Sequence, residues 1–249
     1  MDQLARDLAT FRTWVEECPP GKMVFFGGAG VSTESGIPDF RGTGGLYSQK
    51  YGDISPEAMV SRSFFDANPE MFYQFYFDRM LCLDIQPNQA HLKLAELERE
   101  GTLRAVITQN VDGLHQKAGS KTVWELHGSQ LTNHCMDCGA RYDLEKLVKL
   151  HDQSPTGVPK CPECGGIVKP DVVLFEEGLD MRVLEGAVDA IRAADLFVIA
   201  GSSLVVYPAA GLIDYFAGEH LVIINLQPTP RDRHADLCLQ ARVGEVFDF

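Results

Sequence analysis

Four short apolar runs, at residues 23–26, 103–107, 196–200 and 221–224, govern what this chain can fold into. Each reads as a buried strand, and amphipathic helical patterns lie between them. Residues 90–100 carry Leu92, Leu94, Ala95 and Leu97 at helical spacing, and residues 181–194 carry Val183, Leu184, Ala187, Val188 and Ile191. A further helix is predicted at the start, where Leu4, Leu8, Phe11 and Val15 recur until Pro19-Pro20-Gly21 stops it. Strand and helix in alternation specify an α/β fold with a parallel sheet covered on both faces, whose ligands sit beyond the carboxyl ends of the strands. Those ends are polar or glycine-rich: Gly27-Gly28-Ala29-Gly30, Thr108-Gln109-Asn110, Gly201-Ser202-Ser203 and Asn225. The binding site is expected there.

Two stretches break the alternation. Residues 42–87 are glycine-rich, then aromatic and helical, and Phe64, Phe65, Met71, Phe72, Tyr73, Phe75, Tyr76 and Phe77 are expected in the core. Residues 133–170 hold Cys135-x-x-Cys138 and Cys161-x-x-Cys164, with 22 residues between the pairs and too little apolar sequence to fold unaided. Each two-residue turn brings two thiolates onto one ion, and Gly139 and Gly165 help the turns, so Cys135, Cys138, Cys161 and Cys164 predict tetrahedral zinc. Four sulfur ligands leave no open position; the zinc is structural and supplies folding energy that the small module lacks. His134, beside Cys135, is an alternative ligand. Cys18, Cys82 and Cys238 stand apart, and an odd total of seven cysteines does not suit a disulfide framework. The expected organisation is a Rossmann-like domain built from residues 1–41, 88–132 and 171–249, a cofactor loop and helical insertion at 42–87, and a zinc-ribbon module at 133–170. At 249 residues the chain can bury a core of that size.

The turn after the first strand is informative both where it fits and where it departs. Gly28-Ala29-Gly30 lets the backbone approach a pyrophosphate, favoured by the free amides of a following helix. The common dinucleotide fingerprint wants a third glycine where Thr33 stands, and Asp53, near the spacing of its ribose acid, lies in loop sequence. A phosphate-bearing cofactor is expected, but not held in the dehydrogenase manner.

At this point the motifs become recognisable. Gly28-Ala29-Gly30-Val31-Ser32, running on to Ser35-Gly36-Ile37-Pro38-Asp39-Phe40-Arg41, resembles the first signature of the sirtuins, the NAD-dependent protein deacylases. Thr108-Gln109-Asn110-Val111-Asp112-Gly113-Leu114-His115, His127-Gly128-Ser129, the cysteine pairs, Lys169-Pro170-Asp171-Val172-Val173-Leu174-Phe175, Gly201-Ser202-Ser203-Leu204 and Asn225-Leu226 follow in the family's order. The resemblance spans nearly the whole chain and is greatest to bacterial members.

It implies that NAD is consumed: the acyl-lysine oxygen attacks the nicotinamide ribose, nicotinamide leaves, and water releases lysine and O-acyl-ADP-ribose. Acetyl is the expected acyl group, with longer or acidic acyl groups and mono-ADP-ribosyl transfer as alternatives. His127 is the implied base, suited by an imidazole pKa near neutrality and by its place at the end of the apolar run 123–126. Asn110, Val111 and Asp112 would cage the nicotinamide carboxamide, and His115 would orient that loop through hydrogen bonds. Gly28, Ala29, Gly30 and Thr33 would line pyrophosphate and ribose; Phe40 and Arg41 would close over NAD, one shielding the ribose carbon and the other balancing phosphate charge. Gln109 would bond a ribose hydroxyl, Gly201, Ser202 and Ser203 would lie at the phosphate or adenine-side ribose, Asn225 at that ribose, and Val243 against adenine.

An acetylated lysine peptide would pair as an added strand between residues 173–177 and 201–206, with Val173 and Phe175 walling the acyl-lysine stem. Glu176 replaces the glycine usual after this phenylalanine, which suggests an acidic contact for basic substrates. Tyr76-x-x-Arg79 has the form of the pair that reads succinyl or malonyl carboxylates, while Pro38-Asp39-Phe40-Arg41 is the deacetylase form.

Composition adds little beyond this. Twenty-two Lys and Arg against 35 Asp and Glu give a net charge of −13, which disfavours nucleic acid as a partner and suits basic peptides. No apolar run approaches the roughly 18 residues of a membrane span, and no secretion signal opens the chain, so a cytoplasmic location is expected; a monomer is the expected oligomeric state. A zinc alcohol dehydrogenase would need the third glycine and a second, catalytic set of zinc ligands; a non-enzymatic reader of acyl-lysine would not need His127, Asn110 and Asp112 together.

Overall fold

The computed structural model describes residues 3–40, 42, 45, 54–81 and 83–249. Nine strands occur among them: β1 (Met23–Gly27), β2 (Leu103–Thr108), β3 (Val123–Glu125), β4 (Gly128–Cys135), β5 (Arg141–Asp143), β6 (Val168–Val172), β7 (Leu196–Ala200), β8 (His220–Ile224) and β9 (Leu237–Leu239). Six of them form one parallel sheet in the order β3-β2-β1-β7-β8-β9. The α-helices are α1 (Gln3–Glu17), α2 (Pro56–Met59), α3 (Arg62–Ala67), α4 (Pro69–Phe75), α5 (Gln89–Glu100), α6 (Leu114–Ala118), α7 (Leu144–Asp152), α8 (Met181–Arg192) and α9 (Val243–Val246).

Period-two alternation divides each central strand between two cores. Phe25, Val106, Val198 and Val222 face α1, α5 and α9. Val24, Phe26, Ala105, Ile107, Phe197 and Ile199 face the Ala187, Ala190 and Ile191 stripe of α8. Both faces of the sheet are thus covered, as the near-continuous apolar runs require.

The remaining strands form a separate antiparallel sheet, β5-β4-β6. Its strands reach from Gly128 to Val172, a few residues beyond the segment that the cysteine pairs delimit. This sheet and the helical insertion pack on each other: Phe65, Phe72, Tyr73, Phe75 and Tyr76 share one core with Cys135, Leu147, Cys161 and Val168. Two insertions that are far apart in sequence therefore stand as one body over the carboxyl edge of the large sheet. Of the other residues expected in this core, Phe64 and Phe77 are partly buried and Met71 is exposed.

After β1 the chain continues in two short 3-10 turns, Ala29–Val31 and Thr33–Ser35, and not in an α-helix. Gly36, at φ +95°, ends the second turn, and Pro38 follows. Any anion at this turn is met by individual loop amides, without an α-helix dipole.

Candidate active site

Strand register sets the site. Gly27 lies opposite Thr108 and Ala200, and Ala200 opposite Ile224. The next residue on each strand, Gly28, Gln109, Gly201 and Asn225, therefore emerges along one rim. The first turn fits closely against the end of β7, since a Cβ on Gly30 would lie 2.7 Å from the Gly201 Cα. Gly201 itself is at φ +59°, and a Cβ there would meet the Val31 nitrogen at 2.5 Å. Neither position admits a side chain.

A cavity of about 800 Å³ opens at this rim. Ala29, Gly30, Thr33, Phe40, Gln109, Asn110, Val111, Asp112 and His127 line it, together with Gly201, Ser202, Ser203, Asn225 and Val243. Val173, Phe175 and Glu176 form the wall toward the smaller body. Gly28 packs behind the lining, against Gly201 and Ser202. Arg41 lies outside the described residues.

His127 occupies the turn by which the chain leaves β3 for β4. Its Nδ1 is 3.0 Å from the Gln109 carbonyl oxygen. A carbonyl can only accept, so Nδ1 carries the proton and Nε2 is left as the basic nitrogen. Burial lowers the imidazole pKa below its ordinary value, against an opposing contribution from that hydrogen bond. The ring is neutral at neutral pH, as a base must be.

Asp112 and Asn110 are joined through Ser32, a residue of the first signature to which the motifs assign no role. The buried Ser32 hydroxyl donates to Asp112 Oδ2 at 2.7 Å and accepts from Asn110 Nδ2 at 3.0 Å. Asp112 Oδ1 also accepts from the Leu114 amide at 2.9 Å. Sequence alone gives one hint, since Ser32 stands next to the glycine turn at a strand end. Gln109 is held in turn by Ser202, whose hydroxyl donates to Gln109 Oε1 at 2.8 Å.

His115 departs from expectation. It is buried against Phe25 and His91, and neither ring nitrogen has a hydrogen-bond partner. It packs under the loop and does not tether it by hydrogen bonds. Desolvation holds its pKa well below the ordinary imidazole value and brings that of His91 down to about 4. In the unfolded chain both would titrate near 6.5. Stability present above that value is therefore lost as pH falls from about 6.5 toward 4, by up to ~1.4 kcal/mol per pH unit for each histidine. Urea midpoints should hold from pH 7.5 to about 6.5 and fall from there to pH 5; a profile flat throughout would contradict this.

The donors present suit a pyrophosphate. The backbone amides of Ala29, Ser202 and Ser203 have no partner among the described residues, and all three residues line the cavity. The four cysteines suit zinc. Their sulfurs lie within 4.8 Å of one another, with Cys135–Cys164 at 3.4 Å and Cys138–Cys161 at 3.7 Å. Tetrahedral zinc at a Zn–S distance of about 2.3 Å sets its sulfurs ~3.8 Å apart. The Tyr142 hydroxyl adds a donor 3.0 Å from Cys161 Sγ. His134 turns elsewhere, placing Nδ1 2.5 Å from Asp171 Oδ1.

A parallel sheet with glycine-lined strand ends, a half-buried imidazole in the cleft and a four-thiolate ribbon beside it define a nucleotide-binding enzyme with a structural metal. Residues 28–208 match the Sir2 family. Relatives called NAD-dependent protein deacetylase are 54% identical over 227 residues in Clostridium acetobutylicum, covering 91% of each chain, and 56% identical over 227 residues in Clostridium perfringens, covering 90% of this chain and 91% of the relative. A Sir2 structure with deacetylated p53 peptide and 3'-O-acetyl ADP-ribose superposes with a TM-score of 0.88 at 40% identity, covering 96% of this chain and 95% of that one. Another, with p53 peptide and NAD+, gives 0.84 at 40% identity and the same coverage. The chain belongs to the Sir2 family.

Among the described residues no helix is long and apolar enough to cross a membrane.

Proposed function

We propose that this protein removes acetyl groups from lysine side chains of other proteins with consumption of NAD, the reaction for which its relatives are named. The observation that carries the reading is the meeting, in one cleft, of a neutral imidazole with the Asn110–Ser32–Asp112 chain and the free amides of the strand ends. NAD supplies an electrophilic ribose carbon with nicotinamide as its leaving group.

Each residue then has a task. Asn110 and Asp112, fixed by Ser32, would hold the carboxamide, with Asp112 accepting from the amide nitrogen. Ala29, Ser202 and Ser203 would donate backbone N–H groups to phosphate oxygens. Gln109, oriented by Ser202, would bond a ribose hydroxyl, Asn225 would bond the far ribose, and Val243 would pack on adenine. Phe40 would exclude water from the reacting carbon. His127 Nε2 would take the proton of a ribose hydroxyl once nicotinamide has left.

The acyl-lysine would enter between Val173 and Phe175. Its peptide would pair with two chain edges whose backbone groups are free: Glu176 on one side, Ser203 and Val205 on the other, none with a backbone partner among the described residues. Such pairing reads the peptide backbone and leaves side-chain choice to the rims.

Acetyl-lysine fits this tunnel better than a carboxylated acyl group. Arg79 lines the cavity, but Tyr76 does not; it is fully buried in the core of the smaller body with its hydroxyl unpartnered. Residues Tyr76–Met80 form a single π-helical turn, closed by the Leu81 amide on the Tyr76 carbonyl at 2.9 Å. That turn admits one extra residue and separates the two side chains. The Tyr–Arg carboxylate reader is therefore not assembled.

Incubation with NAD and one peptide in acetyl and succinyl forms tests both points. Free nicotinamide and loss of the acetyl mass are expected, with acetyl turned over at least about tenfold faster because an incompletely paired carboxylate is costly to bury. ADP-ribosylated protein without deacetylation would overturn the reading, and faster desuccinylation would overturn the acyl preference.

A further inference from the structure

Glu176 has a backbone that residues bearing a Cβ rarely adopt, at φ +77°. Its side chain explains how the conformation is held. Oε2 accepts from the Ser63 amide at 2.8 Å, and Oε1 accepts from the Ser63 hydroxyl at 3.0 Å. Ser63 lies in the first turn of α3, on the smaller body.

Neighbouring bonds continue the seam. The Phe175 amide donates to the Val60 carbonyl at 3.0 Å, and the Arg62 amide donates to the Phe175 carbonyl at 2.9 Å. Glu177 Oε1 accepts from Arg62 Nη1 at 3.1 Å. The backbone of residue 175 is therefore occupied by the smaller body, whereas the N–H and C=O of Glu176 have no partner among the described residues. Residue 176 also lines the cavity. Its carboxylate bonds one body while its free peptide groups lie at the wall of the cleft.

We propose that Glu176 is a positioning residue for the acylated peptide: its carboxylate latches residues 173–177 to Ser63, so that the free backbone groups of residue 176 are preorganised to pair with the peptide. The proposal rests on the deacetylase reading. It gives the carboxylate a different role from the expected acidic contact with basic substrates, since each oxygen accepts a hydrogen bond from Ser63. Where a glycine would reach this backbone without strain but leave it loose, this chain combines a strained backbone with a side-chain tether.

Glu176→Gly removes the tether and keeps the backbone accessible. Glu176→Gln retains an acceptor for one Ser63 donor, and Ser63→Ala removes the hydroxyl donor alone. Two measurements are made on the full chain. The first is amide exchange across residues 173–177 with no ligand present. The second is affinity for a fluorescent acetyl-lysine peptide, in basic and neutral flanking versions, alongside separate KM values for peptide and NAD.

Glu176→Gly should speed exchange and weaken both peptides alike, by about five- to twentyfold, as expected for losing two charge-assisted hydrogen bonds that preorganise a site. The NAD KM should stay within twofold, Gln should rescue part of the loss, and Ser63→Ala should add almost nothing in the Glu176→Gly background. Unchanged exchange, peptide affinity within twofold of the parent, a parallel rise of both KM values, or additive effects of the two positions would each overturn the latch. So would a loss confined to the basic peptide, which would restore direct contact. A parent protein that bound neither peptide would count against the deacetylase reading, and the exchange measurement, which needs no ligand, would still decide the latch.

Discussion

A His127→Ala variant is expected to lose about 10²–10⁴-fold in deacetylation turnover, the usual contribution of a positioned general base, while still exchanging labelled nicotinamide into NAD. The split follows from the order of events. In the proposed reaction nicotinamide would depart before any ribose hydroxyl must lose its proton, so a cage formed by Asn110 and Asp112 would act without the imidazole. The pH profile should separate a base from a mere packing residue. Protonated His127 cannot accept a proton, so kcat/KM for the parent falls on the acid side. Burial lowers the pKa of this ring, so the acid limb belongs below the ordinary imidazole value of about 6.5. The alanine variant should lack that limb. Residual turnover within tenfold of the parent, or an unchanged acid limb, would remove His127 from the chemistry.

Much of this site could be read from the chain, for a physical reason. Each central strand is buried on both faces, so each is a short apolar run, and its end is marked where polarity begins. Gly28, Gln109, Gly201 and Asn225 were legible as four strand ends. Their alignment on one rim was not, because register is fixed by pairing between strands that are far apart in sequence. Ser32 illustrates the same limit. Its partners Asn110 and Asp112 are 78 and 80 residues away, and a serine beside glycines looks like any turn residue until they meet.

What the sequence left hidden has equally local causes. Tyr76 and Arg79 have helical spacing, but a single π-turn rotates one into the core and leaves the other on the cavity wall. Periodicity carries no sign of one extra residue per turn. His115 was expected to hydrogen-bond because imidazoles usually do, whereas tertiary packing buried it among rings. Glu176 was readable as a departure from glycine, but its meaning depended on Ser63, 113 positions earlier. Residues 133–170 look inadequate to build a core alone, and the reason is that they complete one with the aromatics of the helical insertion.

Removing zinc should unfold that joint body and stop catalysis while leaving nucleotide binding largely intact. Both core clusters of the large sheet consist of residues outside 133–170. The smaller core, in contrast, includes the ligands Cys135 and Cys161, both fully buried. Structural zinc contributes on the order of 10–16 kcal/mol to small four-ligand modules at neutral pH, comparable to the whole stability of an ordinary domain. The ribbon cannot retain its fold without it. Catalysis would depend on that fold through one covalent link and one hydrogen bond: His127 directly precedes β4, and the Val173 amide donates to the His127 carbonyl at 2.8 Å. Loss of β4 and β6 would free His127 and the proposed peptide-binding edge together. One zinc per chain is expected by elemental analysis, and a strong chelator or Cys161→Ser should release it, lower the melting temperature and abolish deacetylation. ADP-ribose should still bind, since its proposed contacts Ala29, Ser202 and Asn225 lie within two residues of the ends of large-sheet strands. Cobalt in place of zinc should restore activity and show the absorption of tetrahedral thiolate coordination, as a closed site requires. Full turnover by metal-free protein would show that the four thiols hold this fold without an ion.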